Sequence, residues 1–267
     1  MRRIIFSLVA ALAAFALPPA VAEDAYTPTI LVTGSNRGIG LALAREFADA
    51  GWKVIATSRN PAEAKELSQL AKKNRRVRVE QLDVTDQAGM RVFAQRLNGA
   101  PIDVLFHNAA LLGDREDTGN RKQQFGGLDE ALFQRVMHTN VYGPLKLSEI
   151  LVENVAASRQ KKIVGMTSGL GSLQLMGRMS RFYYYQMSKS ALNMGFRAMR
   201  NDLKPRGITV AILAPGMVET DLLAESGYSG RALKPSESAA GLRKLVEALT
   251  IDDPGVPVNV DGKTIPW

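Results

Sequence analysis

Three tyrosines stand side by side in RFYYYQMSKS, residues 181 to 190, and a lysine follows them. A free phenol ionises near about pH 10, too high for easy proton exchange at neutral pH unless a nearby cation favours the phenolate. On a helix such a cation lies four residues away, one turn along the same face. Tyr185 meets that requirement, with Lys189 four positions later, whereas Tyr184 has Ser188 there and Tyr183 has Met187. The spacing therefore predicts a general acid and base at Tyr185, with the other two tyrosines as packing or substrate-wall groups.

A second chemically loaded stretch is TGSNRGIG, Thr33 to Gly40, directly after the apolar run TILVT (29 to 33). Gly34 permits a tight turn, Gly38 lets backbone approach a pyrophosphate, and Gly40 allows a helix to pack closely on a strand. With Ser35, Asn36, Arg37 and Ile39 between them, these residues form a loop whose helix-start N–H groups face anionic phosphates. A strand before and a helix after is the context the mechanism requires. The next strand, WKVIATS (52 to 58), ends at Ser58-Arg59 with no acid to meet the ribose hydroxyls of NAD. Arg59 and Arg37 are instead suited to clamp an adenosine 2′-phosphate, so NADP is expected in preference to NAD.

The elements that must hold these groups alternate regularly. Ile39, Leu43 and Phe47 recur four apart after the glycine loop, and further helices are expected near 61 to 73 and 86 to 97. Strands are expected near 77 to 83, 102 to 108, 162 to 168, 207 to 216 and 256 to 260. A long helix is expected over 129 to 157, another carries Leu192, Phe196, Met199 and Leu203 as its apolar stripe, and a last one lies near 236 to 249. Strand and helix in alternation imply right-handed crossovers and a doubly wound α/β domain with a parallel sheet. The polar stretch from Gly113 to Gly127 interrupts this rhythm and is expected to be an exposed loop of unassigned role.

Composition removes several alternatives. The 267 residues include no cysteine, which rules out disulfides, thiolate metal sites and a cysteine nucleophile. Two histidines, His107 and His138, far apart in sequence, predict no metal site and are expected to be structural. The net charge of +8 falls to +6 without Arg2 and Arg3, which leaves 32 basic against 26 acidic residues. Its visible runs, KKNRR (72 to 76) and RQKK (159 to 162), lie near expected helix C-termini with no aromatics between them, so no nucleic-acid partner is expected.

The opening segment, MRRIIFSLVAALAAFALPPAVAED, has a basic start, an apolar stretch from Ile4 to Leu17 and small residues up to Ala22. It is expected to be a signal peptide over 1 to 22, followed by a linker over 23 to 28 and a single domain over 29 to 267. The apolar stretch is short of the roughly 20 residues that span a bilayer, so no stable membrane insertion is expected after cleavage. Export follows as the expected location, periplasmic if the organism is a bacterium, with the cytoplasm as the alternative.

The glycine loop together with Tyr185-Gln186-Met187-Ser188-Lys189 resembles the short-chain dehydrogenase/reductase family, and the resemblance runs from about Thr29 to the C-terminus. The loop after Gly113 and the ending DGKTIPW resemble its C-factor and sniffer branch, which is related to carbonyl reductases. The resemblance implies adenine contacts from Asp83 and Val84, and a cofactor contact from Asn108 and Ala109 in HNAA, where His107 and Ala110 replace the family's asparagine and glycine. It implies catalytic roles for Asn140, Ser168, Tyr185 and Lys189, and a nicotinamide-side segment containing Pro215, Gly216, Val218 and Thr220. Ser168 would bind the substrate carbonyl, Tyr185 would give the proton, Lys189 would hold the ribose and lower the tyrosine pKa, and Asn140 would position a water chain. A small carbonyl or alcohol substrate and a homo-oligomer are implied as well. Leu170 to Phe182 and Leu222 to Arg231 are expected to line the pocket, with Met176, Met179, Phe182 and Leu222 suited to apolar ligands. A cofactor-binding sensor with little turnover is the alternative function, motivated by the branch and by the expected export.

Overall fold

A computed structural model describes residues 26 to 267 except 115, 118 and 178 to 180. The expected signal peptide, residues 23 to 25 of the linker and Met179 lie outside the described residues. Seven strands form one sheet: β1 (Thr29–Val32), β2 (Lys53–Ser58), β3 (Val77–Gln81), β4 (Val104–His107), β5 (Lys162–Met166), β6 (Thr209–Ala214) and β7 (Pro257–Asn259). Their order is β3-β2-β1-β4-β5-β6-β7, and every neighbouring pair is parallel. The chain departs from β1 in one direction to build β2 and β3 and in the other to build β4 onward, so a crevice opens at the carboxyl ends of β1 and β4.

Burial on both faces explains the unbroken apolar runs of the central strands. In β1, Ile30 and Val32 point into one core with Leu43 and Phe47 of α1 (Gly38–Asp49), Leu67 of α2 (Lys65–Lys73) and Leu242. Leu31 points into the other, with Phe93 of α3 (Gln87–Leu97), Leu151 and Phe196. Phe47, Phe93 and Phe196 are all fully buried, and such a side chain contributes about 1.5–3 kcal/mol through burial alone.

The expected long helix is interrupted. It comprises α4 (Glu130–Met137), a π-helical turn over His138–Tyr142, and α5 (Gly143–Ala156). Apolar periodicity does not register one widened turn, which here swings Asn140 inward until it is 1% exposed. The remaining helices are α6 (Tyr183–Leu203), a short α7 (Asp221–Glu225) and α8 (Pro235–Ala248). The α7 turn was not expected as a helix, because five residues carry too little periodicity to be read.

Candidate active site

The glycine loop closes tightly on the end of β4. Gly34 adopts φ of 68°, and a Cβ placed there would stand 2.9 Å from the Cα of Ala109. A Cβ at Gly40 would lie 2.2 Å from the Gly34 carbonyl oxygen, so α1 could not begin where it does with any other residue there. Asn108 binds this loop from below: its Nδ2 donates to the carbonyls of Thr33 at 2.8 Å and Gly34 at 2.9 Å. The Thr33 hydroxyl in turn accepts from the backbone N–H of Asn108 at 3.0 Å and of Ala109 at 3.1 Å. Ser35 is buried, its N–H donating to Thr57 at 2.8 Å and its hydroxyl to Val32 at 2.9 Å. The loop is thereby set rigid, while Asn36 and Arg37 remain exposed and Ile39 half-buried on its rim.

The neighbouring segments converge on this cradle. Asp83 accepts from the Thr85 N–H at 2.8 Å and hydroxyl at 2.7 Å, which shapes the turn after β3 beside buried Val84. After β6, the Pro215 carbonyl accepts from Ser238 at 2.8 Å, Gly216 takes φ of 78°, and Val218 is buried. Thr220 caps α7 by accepting from the Leu223 N–H at 3.3 Å, and its methyl would sit 3.3 Å from a Cβ at Gly38. The expected cofactor residues thus stand on the glycine loop, on the segments that follow β2, β3, β4 and β6, and, for Tyr185 and Lys189, on α6. Arg59 follows β2 and lines a cleft of about 740 Å³ with Thr85, Leu111 and His138. Arg37 forms an ion pair with Asp221 across the mouth of the loop. The cradle therefore fits a dinucleotide: glycines admit its phosphates, and no carboxylate follows β2 to repel a ribose phosphate.

The three tyrosines point in three directions, as a helical step of about 100° requires. Tyr183 lines a cavity of about 380 Å³ with Leu173, Met176, Gln186, Met187 and Ser190. Tyr184 packs edge-on against Phe133 at 5.4 Å, beside Leu132 and Val136. Tyr185 turns into the cluster of Leu112, Phe182, Leu170 and Leu222, where it is 6% exposed. Of the expected pocket wall, Leu170, Phe182 and Leu222 surround Tyr185, and Leu170 also lines the cavity of Tyr183 with Leu173 and Met176.

Ser168 stands just past β5 beside Tyr185, and its hydroxyl accepts from the Leu170 N–H at 3.2 Å. Burial pushes the phenol up to about 12, and the neighbouring Ser168 hydroxyl opposes that rise. The ammonium of Lys189 lies 5.5 Å from the centre of the Tyr185 ring. It donates to the Met166 carbonyl at 2.8 Å, and burial lowers it to about 8. The spacing predicts a phenol drawn down by its neighbouring cation; burial instead raises it, and Ser168, not Lys189, is the group that opposes the rise. The phenol is therefore kept protonated at neutral pH.

Asn140 is committed on every side. Its Nδ2 donates to Leu111 O at 2.8 Å and to Ser188 Oγ at 2.9 Å, and its Oδ1 accepts from Leu111 N at 2.7 Å. It joins the segment after β4 to the buried Ser188 of α6. His107 is structural, as expected: its Nε2 meets the Ser148 hydroxyl at 2.8 Å, and that hydroxyl donates to Pro144 at 2.9 Å. Nε2 must therefore carry the proton, leaving Nδ1 buried without a partner, and burial lowers the imidazole to about 3. Among the described residues no group of three acidic or histidine side chains could hold a metal, and no helix is long and apolar enough to cross a membrane.

A doubly wound parallel sheet with a glycine cradle at its crevice and a Ser-Tyr-Lys cluster beside it defines a dinucleotide-dependent oxidoreductase. The chain belongs to the short-chain dehydrogenase family, whose model, described as short chain dehydrogenase, matches residues 28–229. It is 32% identical over 90% of its length to the 1-hydroxy-2-glutathionyl-2-methyl-3-butene dehydrogenase of Rhodococcus sp. (strain AD45), covering 99% of that protein. It is 30% identical to the C-signal protein of Myxococcus xanthus over 67% of this chain and all of that one. Among solved structures it resembles the carbonyl reductase Sniffer of D. melanogaster, with a TM-score of 0.78, 26% identity, and coverage of 91% of this chain and 100% of that one. The NADPH-bound carbonyl reductase from chicken fatty liver has a TM-score of 0.80, 28% identity, and coverage of 90% and 99%.

Proposed function

We propose that the protein interconverts a small carbonyl compound and its alcohol with NADP as cofactor, using Tyr185 as general acid and base. The observation that carries this reading is the buried phenol of Tyr185, with Ser168 beside it at the carboxyl edge of the sheet and the Lys189 ammonium 5.5 Å from the centre of its ring. When bound, the cofactor supplies or accepts the hydride. In the reducing direction Ser168 binds the substrate oxygen, and Tyr185 passes its proton to that oxygen as negative charge develops there. Lys189 lies close enough for its ammonium to offset the negative charge of the phenolate when the phenol gives up its proton. Asn140 acts as a positioning residue through Leu111 and Ser188.

NADP is favoured over NAD because Arg59 stands where an NAD site carries an acid, and the similar carbonyl reductase from chicken fatty liver binds NADPH. Arg37 must exchange its Asp221 partner for the phosphate to assist. NADPH oxidation with a panel of ketones and aldehydes tests the activity; absence of turnover across the panel rejects it. Export by way of residues 1 to 22, a domain over 29 to 267 and a homo-oligomer belong to the same proposal. Cell fractionation of the full chain and light scattering of the purified protein test the location and the assembly. A second reading, a cofactor-binding sensor, is favoured by the similarity to the C-signal protein. It predicts tight NADPH binding with negligible turnover on the same panel.

A further inference from the structure

Helix α6 begins without a cap of its own. Tyr183, Tyr184 and Tyr185 are its first residues, so their N–H groups have no intrahelical carbonyl to meet. The first bond back into the helix is from Gln186 N to the Phe182 carbonyl at 2.9 Å. Phe182 sits in the left-handed region at φ of 61°, and its side chain makes no cap, where serine, threonine or aspartate would ordinarily serve.

The third orphan N–H, that of Tyr185 itself, is met from 62 residues upstream: Gln123 Oε1 accepts from it at 3.4 Å. Gln123 lies in the single 3-10 turn Arg121–Gln123 of the loop after β4 and is fully buried. Its Nε2 donates to Leu112 O at 3.0 Å and to Asn120 Oδ1 at 3.3 Å, which uses both of its hydrogens. Turning the amide over would set NH₂ against the Tyr185 N–H and oxygen against the Leu112 carbonyl, so its partners fix its orientation. Asn120 continues the file, donating to the Glu225 carbonyl at the end of α7 at 3.5 Å. Gly113 makes room for the arrangement, since a Cβ there would stand 2.5 Å from Gln123 Nε2.

We infer that Gln123 is a positioning residue for Tyr185, capping the first turn of α6 from the 113 to 127 loop and so fixing where the phenol points. The loop that interrupts the strand-helix rhythm thus becomes part of the active site. The inference rests on the proposed reaction only for its catalytic consequence. Removing the acceptor leaves a buried N–H unpaired, and the first turn relieves this by opening to water, which carries Tyr185 away from Ser168.

Gln123→Met keeps the shape and removes the acceptor, whereas Gln123→Glu keeps an oxygen in place. Amide hydrogen exchange, phenol titration and steady-state kinetics with NADPH are measured on each. In Gln123→Met the Tyr185 amide is expected to exchange about tenfold faster while Leu192 to Leu203 stay within about twofold. Its kcat is expected to fall about tenfold with KM within about twofold, and Gln123→Glu to recover part of both. Gly113→Ala, which displaces the amide without altering it, should give the same signature in weaker form and substitutes for Gln123→Met if that variant does not fold. Unchanged exchange at Tyr185, faster exchange without loss of kcat, or equal loosening along all of α6 would each overturn the inference. A wild-type protein without turnover counts against the reaction instead. The phenol titration then decides for Gln123: it must move down from about 12 in Gln123→Met as water reaches the ring.

Discussion

Around the glycine loop nearly every contact involves backbone, as in Ser35 N to Thr57 O at 2.8 Å or the Asn108 amide on the carbonyls of Thr33 and Gly34. Around Tyr185 the contacts run through side-chain amides, which reach other side chains as well as backbone: Asn140 to Ser188 and Leu111, Gln123 to Asn120, Leu112 and the Tyr185 N–H. In the proposed reaction the first half binds a ligand portion common to a whole class of cofactors, and main-chain geometry at glycine suffices for it. The second must aim one phenol, and it does so with buried amides from elements far apart in sequence. Damage in the second half should therefore be severe and specific, and damage on the rim of the first mild and graded.

The sharpest test of that difference is Tyr185→Phe, which should lower kcat by about 10²- to 10⁴-fold while NADPH still quenches intrinsic fluorescence with unchanged affinity. Loss of cofactor binding alongside activity would erase the distinction between the halves.

His107 probes the seam between them. Its unfolded pKa of 6.5 lies above its buried value of about 3, so the unfolded chain takes up a proton first and stability is lost as pH falls through that window. The loss should be on the order of a few kcal/mol in urea unfolding between pH 6.5 and 4, with a shallower slope in His107→Asn. Equal slopes would mean that His107 accepts a proton in the folded state.

Asn140→Ala should cost about 1–3 kcal/mol of unfolding free energy, because it strands the half-buried Leu111 N–H and carbonyl. Its kcat should fall with it while NADPH affinity holds, and a variant as stable as the parent would show that water replaces the amide. The smallest effect belongs to the rim: Arg59→Ala should weaken NADPH about tenfold and leave NADH within about twofold, read by titration. Equal weakening of both would remove Arg59 from phosphate recognition.

Much of this molecule was legible in one chain. The seven strands, the parallel sheet and the glycine cradle follow from patterns that are local: β-branched runs, a helical stripe four residues apart, and glycines between them. Tyr185 and Lys189 were legible for the same reason, being one turn apart on one helix. The π-helical turn was not, since the partners of the Asn140 it turns inward, Leu111 and Ser188, lie 29 residues before it and 48 after it. Nor was the role of Gln123, an amide in a polar loop with nothing local to separate it from its neighbours.

Sequence alone determined the type of fold, the phosphate cradle and the identity of the phenol-ammonium pair, because each rests on residues within a few positions of one another. Tertiary structure decided that Tyr185 stays neutral, that Asn140 ties two elements together and that Gln123 caps the catalytic helix. Desolvation and long-range hydrogen bonds depend on what surrounds a group once the chain is folded, and no spacing along the chain encodes that directly.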